Sequence, residues 1–183
     1  MQGNRAFIAI DIPSEIRQKI TEATRGLNGR EVRQVPEEQM HVTLFFFEQI
    51  EDDQISKVIE VLTCAKIEPF NMTMKGAGVF TPSRPRVIFV DIKEVKELKR
   101  MHSILKQELR AAGLPLEDRE FAPHLTVGRI KKSDREIEEK LLLFLEQNEA
   151  KEFGSFECRE IKLIKSALNG ESPIHETVFV RKF

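Results

Sequence analysis

The chain has 183 residues, 40% of them hydrophobic and 32% charged, which suits one ordinary folded domain or two small lobes sharing a core. A formal net charge of −1 argues against a dedicated binder of long duplex nucleic acid, whose footprint is basic overall. No stretch approaches the roughly 20 apolar residues of a membrane helix, and the start, MQGNRAFIAIDIPSE, is too short in apolar residues for a secretory signal, so a cytoplasmic protein is expected.

Residues 5–12, RAFIAIDI, predict a buried strand. Pro13, Ser14 and Glu15 then open a helix with Ile16, Ile20, Ala23 and Leu27 on its stripe and Gly26 and Gly29 at its end. Arg30 to Val35 predict a strand, Pro36-Glu37-Glu38 a turn, and Met40 to Phe47, MHVTLFFF, a second strand. In that strand His41 and Thr43 point one way while Val42, Leu44 and Phe46 point the other. Glu51, Asp52 and Asp53 suit a helix N-terminus, and Ile55, Val58, Ile59 and Leu62 form its stripe. Residues 70–80 predict a strand and 81–86, TPSRPR, a basic loop.

A similar plan then repeats. VIFVDIK at 87–93 predicts a strand, and a helix follows with Val95, Leu98, Leu105 and Leu109 on its stripe and Gly113 past its end. PHLTV at 123–127 echoes the first motif. Ser133 with Glu136 predicts a capping box opening a helix with Ile137, Leu141, Phe144 and Leu145 inward. One long strand over 156–168, a turn at Asn169-Gly170 and a closing strand over 177–183 complete the chain.

FIAIDI at 7 and VIFVDI at 87 are 80 residues apart, and His41 and His124 are 83 apart. So constant an offset implies a duplicated α+β unit with pseudo-twofold symmetry, with repeats over about 5–80 and 86–168 of a single two-lobed domain. Equivalent residues face each other under such an axis, which sets one His-Thr pair opposite the other across a groove.

Two opposed imidazoles suit acid and base catalysis at phosphorus, since an ordinary pKa of about 6.5 lets one ring be neutral and the other charged near pH 7. Thr43 and Thr126 can donate hydrogen bonds to the phosphate oxygens. Arg129 would add positive charge if a bulge near Gly128 turned it to the His124 face. Two histidines are too few for zinc, so neither a metal nor another cofactor is expected.

Other residues read as structural. A third match, His175-Glu176-Thr177, follows Ser172-Pro173 in a predicted turn and reads as incidental; His102, on an apolar stripe, reads as packing. Cys64 and Cys158 read as reduced core thiols. Phe45, Phe46 and Phe47 read mostly as core, with one on the His41 face able to stack on a base. Local basic candidates are Arg84, Arg86, Arg119, Arg129, Lys131 and Lys132.

HVTL at 41–44 and HLTV at 124–127, with RAFIAIDIP near the start and Gly128-Arg129 after the second motif, resemble the 2H phosphoesterase superfamily. Within it the chain is most similar to the RNA 2′,3′-cyclic phosphodiesterases, also called 2′-5′ RNA ligases or LigT-like proteins. The resemblance implies a two-lobed α+β fold, each lobe an antiparallel sheet with helices on its outer face and a groove between them. It implies metal-independent opening of 2′,3′-cyclic phosphate ends of RNA or nucleotides to 2′-phosphomonoesters, with tRNA halves joined through 2′-5′ bonds in some members. It makes His41 the proton donor, His124 the proton acceptor, Thr43 and Thr126 the phosphate-binding threonines, and Arg129 a further phosphate ligand. A monomer acting on RNA ends or cyclic nucleotides is expected. A non-catalytic RNA-end binding module and a phosphodiesterase for a small cyclic phosphate such as an ADP-ribose derivative are the alternatives. The chain departs from the pattern at Phe46-Phe47-Glu48, where Phe-Leu-Gly is usual, and at His175, where a tyrosine is frequent.

Overall fold

The computed structural model describes residues 4–27, 29, 31–93, 95–169 and 172–183. The strands are β1 (Asn4–Asp11), β2 (Val32–Gln34), β3 (His41–Ile50), β4 (Phe70–Phe80), β5 (Val87–Lys93), β6 (His124–Ile130), β7 (Glu152–Cys158), β8 (Glu160–Asn169) and β9 (Ser172–Lys182). The helices are α1 (Ser14–Thr24), α2 (Asp52–Cys64), α3 (Lys96–Ala111) and α4 (Arg135–Asn148). The strands form one antiparallel sheet in the order β7-β4-β5-β6-β3-β1-β8-β9, with β2 also paired to β6.

The order divides the sheet into two lobes of four strands. β3, β1, β8 and β9, from the two chain ends, form one lobe; β7, β4, β5 and β6, from the middle, form the other. The helices pair α1 with α4 and α2 with α3. Their apolar stripes cover one face of the sheet and enclose a core that includes Ile20, Val58, Leu98, Leu105 and Leu141. Among the described residues the buried cluster on the opposite face is small, Phe7, Ala9 and Ile164 with Phe46 against it, which leaves that face room for polar side chains. Gly113 follows α3 with φ +75°, the left-handed geometry that glycine supplies there.

Several expectations from the sequence change. The single strand over 156–168 is two strands, because the chain leaves the partner of β4 at Arg159 and becomes the partner of β1. The inward phase slips at that point, from Cys158 to Ile161 and Leu163, an odd interval that no unbroken period-2 strand allows. The closing strand starts at Ser172 rather than at 177, so His175 lies in a strand and not in a turn. Pro173 is tolerated because β9 is the sheet edge and its missing N–H is not needed by a further strand. The strand predicted from Arg30 shrinks to β2, and Arg30 itself, like Gly170 of the predicted turn, lies outside the described residues. Cys158 is buried, but Cys64 is exposed at the end of α2.

α4 begins one residue later than a Ser133 cap would place it. Asp134 is the N-cap, and its carboxylate accepts the Ile137 N–H at 2.9 Å, while Ser133 Oγ donates to Glu138 at 3.2 Å. Asp134→Ala should therefore cost about 1 kcal/mol of unfolding free energy in urea titrations, whereas Ser133→Ala should cost much less. Equal losses would contradict this capping arrangement.

Candidate active site

β3 and β6 are the inner strands of the two lobes. β3 and β6 are in register at Val42 and Leu125 alone, both fully buried, and the strands splay on either side. In that register His41 lies beside Thr126 and Thr43 beside His124, all four on the face opposite the core. Residues two apart on a strand are about 6.5–7 Å apart. In that arrangement the histidines lie on one diagonal and the threonines on the other.

Both motif strands carry a β-bulge at equivalent positions. In β3 the bulged residue is Leu44, between the pairs Ala9–Thr43 and Ile8–Phe45; in β6 it is Val127, between Phe89–Thr126 and Ile88–Gly128. The extra residue reverses the alternation beyond it. The bulge in β6 brings Arg129 to the His124 face, against strict alternation, and it lines the cleft. Phe46 is brought to the His41 face as well, contrary to strict alternation, and also lines the cleft. The bulges are held by different partners. The Val127 carbonyl accepts the Val35 N–H at 3.0 Å, and the Leu44 backbone is hydrogen-bonded by His102 of α3. His102 is 8% exposed and stacked between Phe45 and Phe121, with ring centroids 4.4 and 3.8 Å away, so its packing role includes fixing a bulge.

The two cleft histidines are tethered alike. His124 Nδ1 donates to the Ala122 carbonyl at 2.7 Å, and His41 is hydrogen-bonded to the backbone of Gln39, in each case two residues upstream. A carbonyl only accepts, so Nδ1 of His124 carries the proton in that bond. Their surroundings differ. His41 stacks on Phe7 at 4.6 Å, and His124 meets the edges of Phe80 and Phe89 at 4.7 and 5.8 Å. Burial, and then the neighbouring His175, lower the His41 pKa to about 4, against smaller opposing effects of the Gln39 bond and Asp11. His41 is therefore neutral at pH 7 in the free protein.

His175 is not incidental to this cleft. Its ring lies 5.7 Å from that of His41, edge-on, and 5.0 Å from Phe7. Burial lowers its pKa as well. His41, His124, His175, Thr43, Thr126 and Arg129 line one cavity of about 360 Å³, together with Arg5 of β1 and Arg33 of β2. Among the described residues, no aspartate or glutamate lines it. A second cavity of about 640 Å³ continues past Phe80, Lys106, Arg119 and Phe121, and shares Thr43, Phe46, His124, Thr126 and Arg129 with the first. Both volumes fall in the range of small-molecule sites.

Of the six basic candidates from the sequence, Arg129 and Arg119 line the groove. Arg84 is exposed in the loop after β4, Arg86 donates to the Lys131 carbonyl at 2.9 Å, and Lys131 and Lys132 are exposed after β6. Arg5, Arg33 and His175 are cleft residues that periodicity did not select. The one signal for Arg5 is its spacing from Phe7 on the same face of β1. Among the described residues, no three of His, Cys, Asp and Glu are grouped as metal ligands would be.

A family profile described as the 2′-5′ RNA ligase superfamily matches residues 12–170. The chain belongs to the 2′-5′ RNA ligase superfamily. An Archaeoglobus fulgidus relative, an RNA 2′,3′-cyclic phosphodiesterase, is 30% identical over 96% of this chain and 98% of its own length. A Thermotoga maritima protein of the same name is 35% identical over 69% of this chain and 70% of its own. Two solved structures share the fold of this superfamily member. A Thermus thermophilus protein superposes with a TM-score of 0.80 at 24% identity, covering 97% of both chains. Escherichia coli LigT with bound ATP gives 0.77 at 19% identity, covering 98% of this chain and 97% of that one.

Among the described residues of this superfamily member, no helix is long and apolar enough to cross a membrane. His102, like His41, has its pKa lowered to about 4, by burial first and then by Lys106, against an unfolded value of 6.5. Below pH 6.5 the unfolded chain binds protons that the folded one refuses, so this stabilisation is complete above pH 6.5 and disappears as pH falls toward 4. His102→Phe should shrink the fall in melting temperature between pH 7 and pH 5 relative to the parent protein. An unaltered fall would show that His102 is not held neutral.

Proposed function

We propose that the protein opens 2′,3′-cyclic phosphate ends of RNA or nucleotides to 2′-phosphomonoesters by two-histidine acid–base catalysis without a metal. The observation that carries this reading is the diagonal arrangement of His41 and His124 with Thr43 and Thr126 on one cleft face. Phosphorus held by the two threonines has one imidazole toward the attacking water and the other toward the leaving oxygen, the demand of an in-line displacement. His124 takes the proton of the water as its oxygen bonds to phosphorus. The bond from phosphorus to O3′ breaks, and His41 protonates O3′. Arg129 offsets the charge gathering on the non-bridging oxygens. The relatives named RNA 2′,3′-cyclic phosphodiesterase support this substrate.

The donor role of His41 requires a proton that the free protein withholds at pH 7. A bound phosphate anion supplies the reason to take one up, because an opposite charge within about 4–6 Å favours the charged ring. The 5′-hydroxyl of a second RNA end, replacing water, would be joined through a 2′-5′ bond by the same steps, and the wider cavity beside His124 has room for that end. The matched registers of β1 with β3 and of β5 with β6 support repeats over about 5–80 and 86–168 of one two-lobed domain.

Hydrolysis of an RNA with a cyclic phosphate end should proceed in excess chelator and yield a 2′-phosphate; a 3′-phosphate product, or loss of activity on chelation, would overturn the reading. His41→Ala and His124→Ala should each lower the rate by on the order of 10²–10⁴, and the double variant by less than the product. Binding of adenosine 2′-phosphate at pH 6 should take up protons, measured by calorimetry in buffers of different ionisation enthalpy. His41→Gln should abolish most of that uptake. Uptake that survives the substitution would reassign the proton donor.

A further inference from the structure

The cleft continues beyond His41 in a direction that two-histidine chemistry does not use. Arg5 on β1 pairs in register with Ser166 on β8, and Ser166 with His175 on β9. Directly opposed residues of an antiparallel pair point to the same face, and adjacent strands are about 4.8 Å apart. Arg5, Ser166 and His175 therefore form a row across three strands, and all three line the same cavity as His41 and the threonines. The row offers a guanidinium, a hydroxyl and a ring N–H, which even a neutral imidazole retains. Among the described residues no carboxylate lines this cavity to compete for those donors, in a chain with 30 acidic residues.

Such a row fits an anion. The His175 ring is 5.7 Å from that of His41, and both pack on Phe7, so an anion at the row and a phosphate at the two-histidine centre are close enough to belong to one nucleotide. A nucleotide with phosphate on its 2′ and 3′ oxygens carries its next phosphate on O5′, across the ribose. We propose that Arg5, Ser166 and His175 form a second anion subsite that takes the phosphate on O5′ of the nucleotide whose cyclic phosphate is opened. This rests on the proposed function for the identity of the first phosphate. It makes the preferred substrate an RNA end, or a 5′-phosphorylated nucleotide, over a bare nucleoside cyclic phosphate.

The test is equilibrium binding of three stable product-like ligands at one salt concentration: adenosine 2′-phosphate, adenosine 2′,5′-bisphosphate, and the dinucleotide adenylyl-(3′→5′)-adenosine with a 2′-phosphate. The second and third should bind about 10-fold or more tightly than the first, the gain expected of hydrogen bonds to a charged group. Arg5→Gln and His175→Gln should each bring those ratios toward one. Arg5 is exposed, so its substitution leaves the fold intact even if the His175 variant is destabilised. A gain for the bisphosphate alone assigns the row to a terminal phosphate, and a gain for both assigns it to the diester of a chain as well. Equal affinities for all three ligands, or ratios that survive both substitutions, would overturn the subsite. If the ratios hold while no cyclic phosphate is hydrolysed, the catalytic reading falls and the subsite stands.

Discussion

Val42 and Leu125 form the registered pair between β3 and β6, and the geometry of the cleft depends on it. Their burial gives the junction its stability, since both side chains belong to the core that the helices cover. Because strand side chains alternate, burying these two forces His41, Thr43, His124 and Thr126 to the other face together. A slip of one residue in either strand would send a His-Thr pair into the core, at the cost of unpaired buried polar groups. The apolar residues between the polar ones thus position the four polar side chains, although they face the core themselves.

Around this junction the backbone is symmetric and the side chains are not. Leu44 and Val127 bulge at equivalent positions, and each bulge turns the residue two places on into the cleft. That residue is Phe46 in one lobe and Arg129 in the other. The histidines share a backbone tether, yet His41 lies against Phe7 and His175 while His124 meets Phe80 and Phe89.

His102 shows how a core residue reaches the cleft. It is stacked between Phe45 and Phe121 and bonded to the backbone of Leu44, so α3 holds the bulge that turns Phe46 into the cleft. In the other lobe the bulge is held by the backbone of Val35, just after β2. A bulge leaves backbone groups outside the regular ladder, and a buried one needs a partner from elsewhere in the chain. The two lobes satisfy that demand with different elements, a helix side chain and a loop backbone.

The sequence determined the α+β plan, the two motif strands and the four polar residues at their crossing, because each rests on a local period that survives in any context. The near-constant offset between the motifs also indicated that they belong opposite one another. It did not disclose that Phe46 reaches the cleft, since a bulge is a two-strand property and leaves the spacing within one strand untouched. It hid the break at Arg159 for a similar reason: the chain changes partners there while remaining extended, and only the phase of burial marks the change. Arg5, Arg33 and His175 could not be grouped with His41 from their positions in the chain. Strand order brings them together, and strand order follows from long-range pairing that no local pattern encodes.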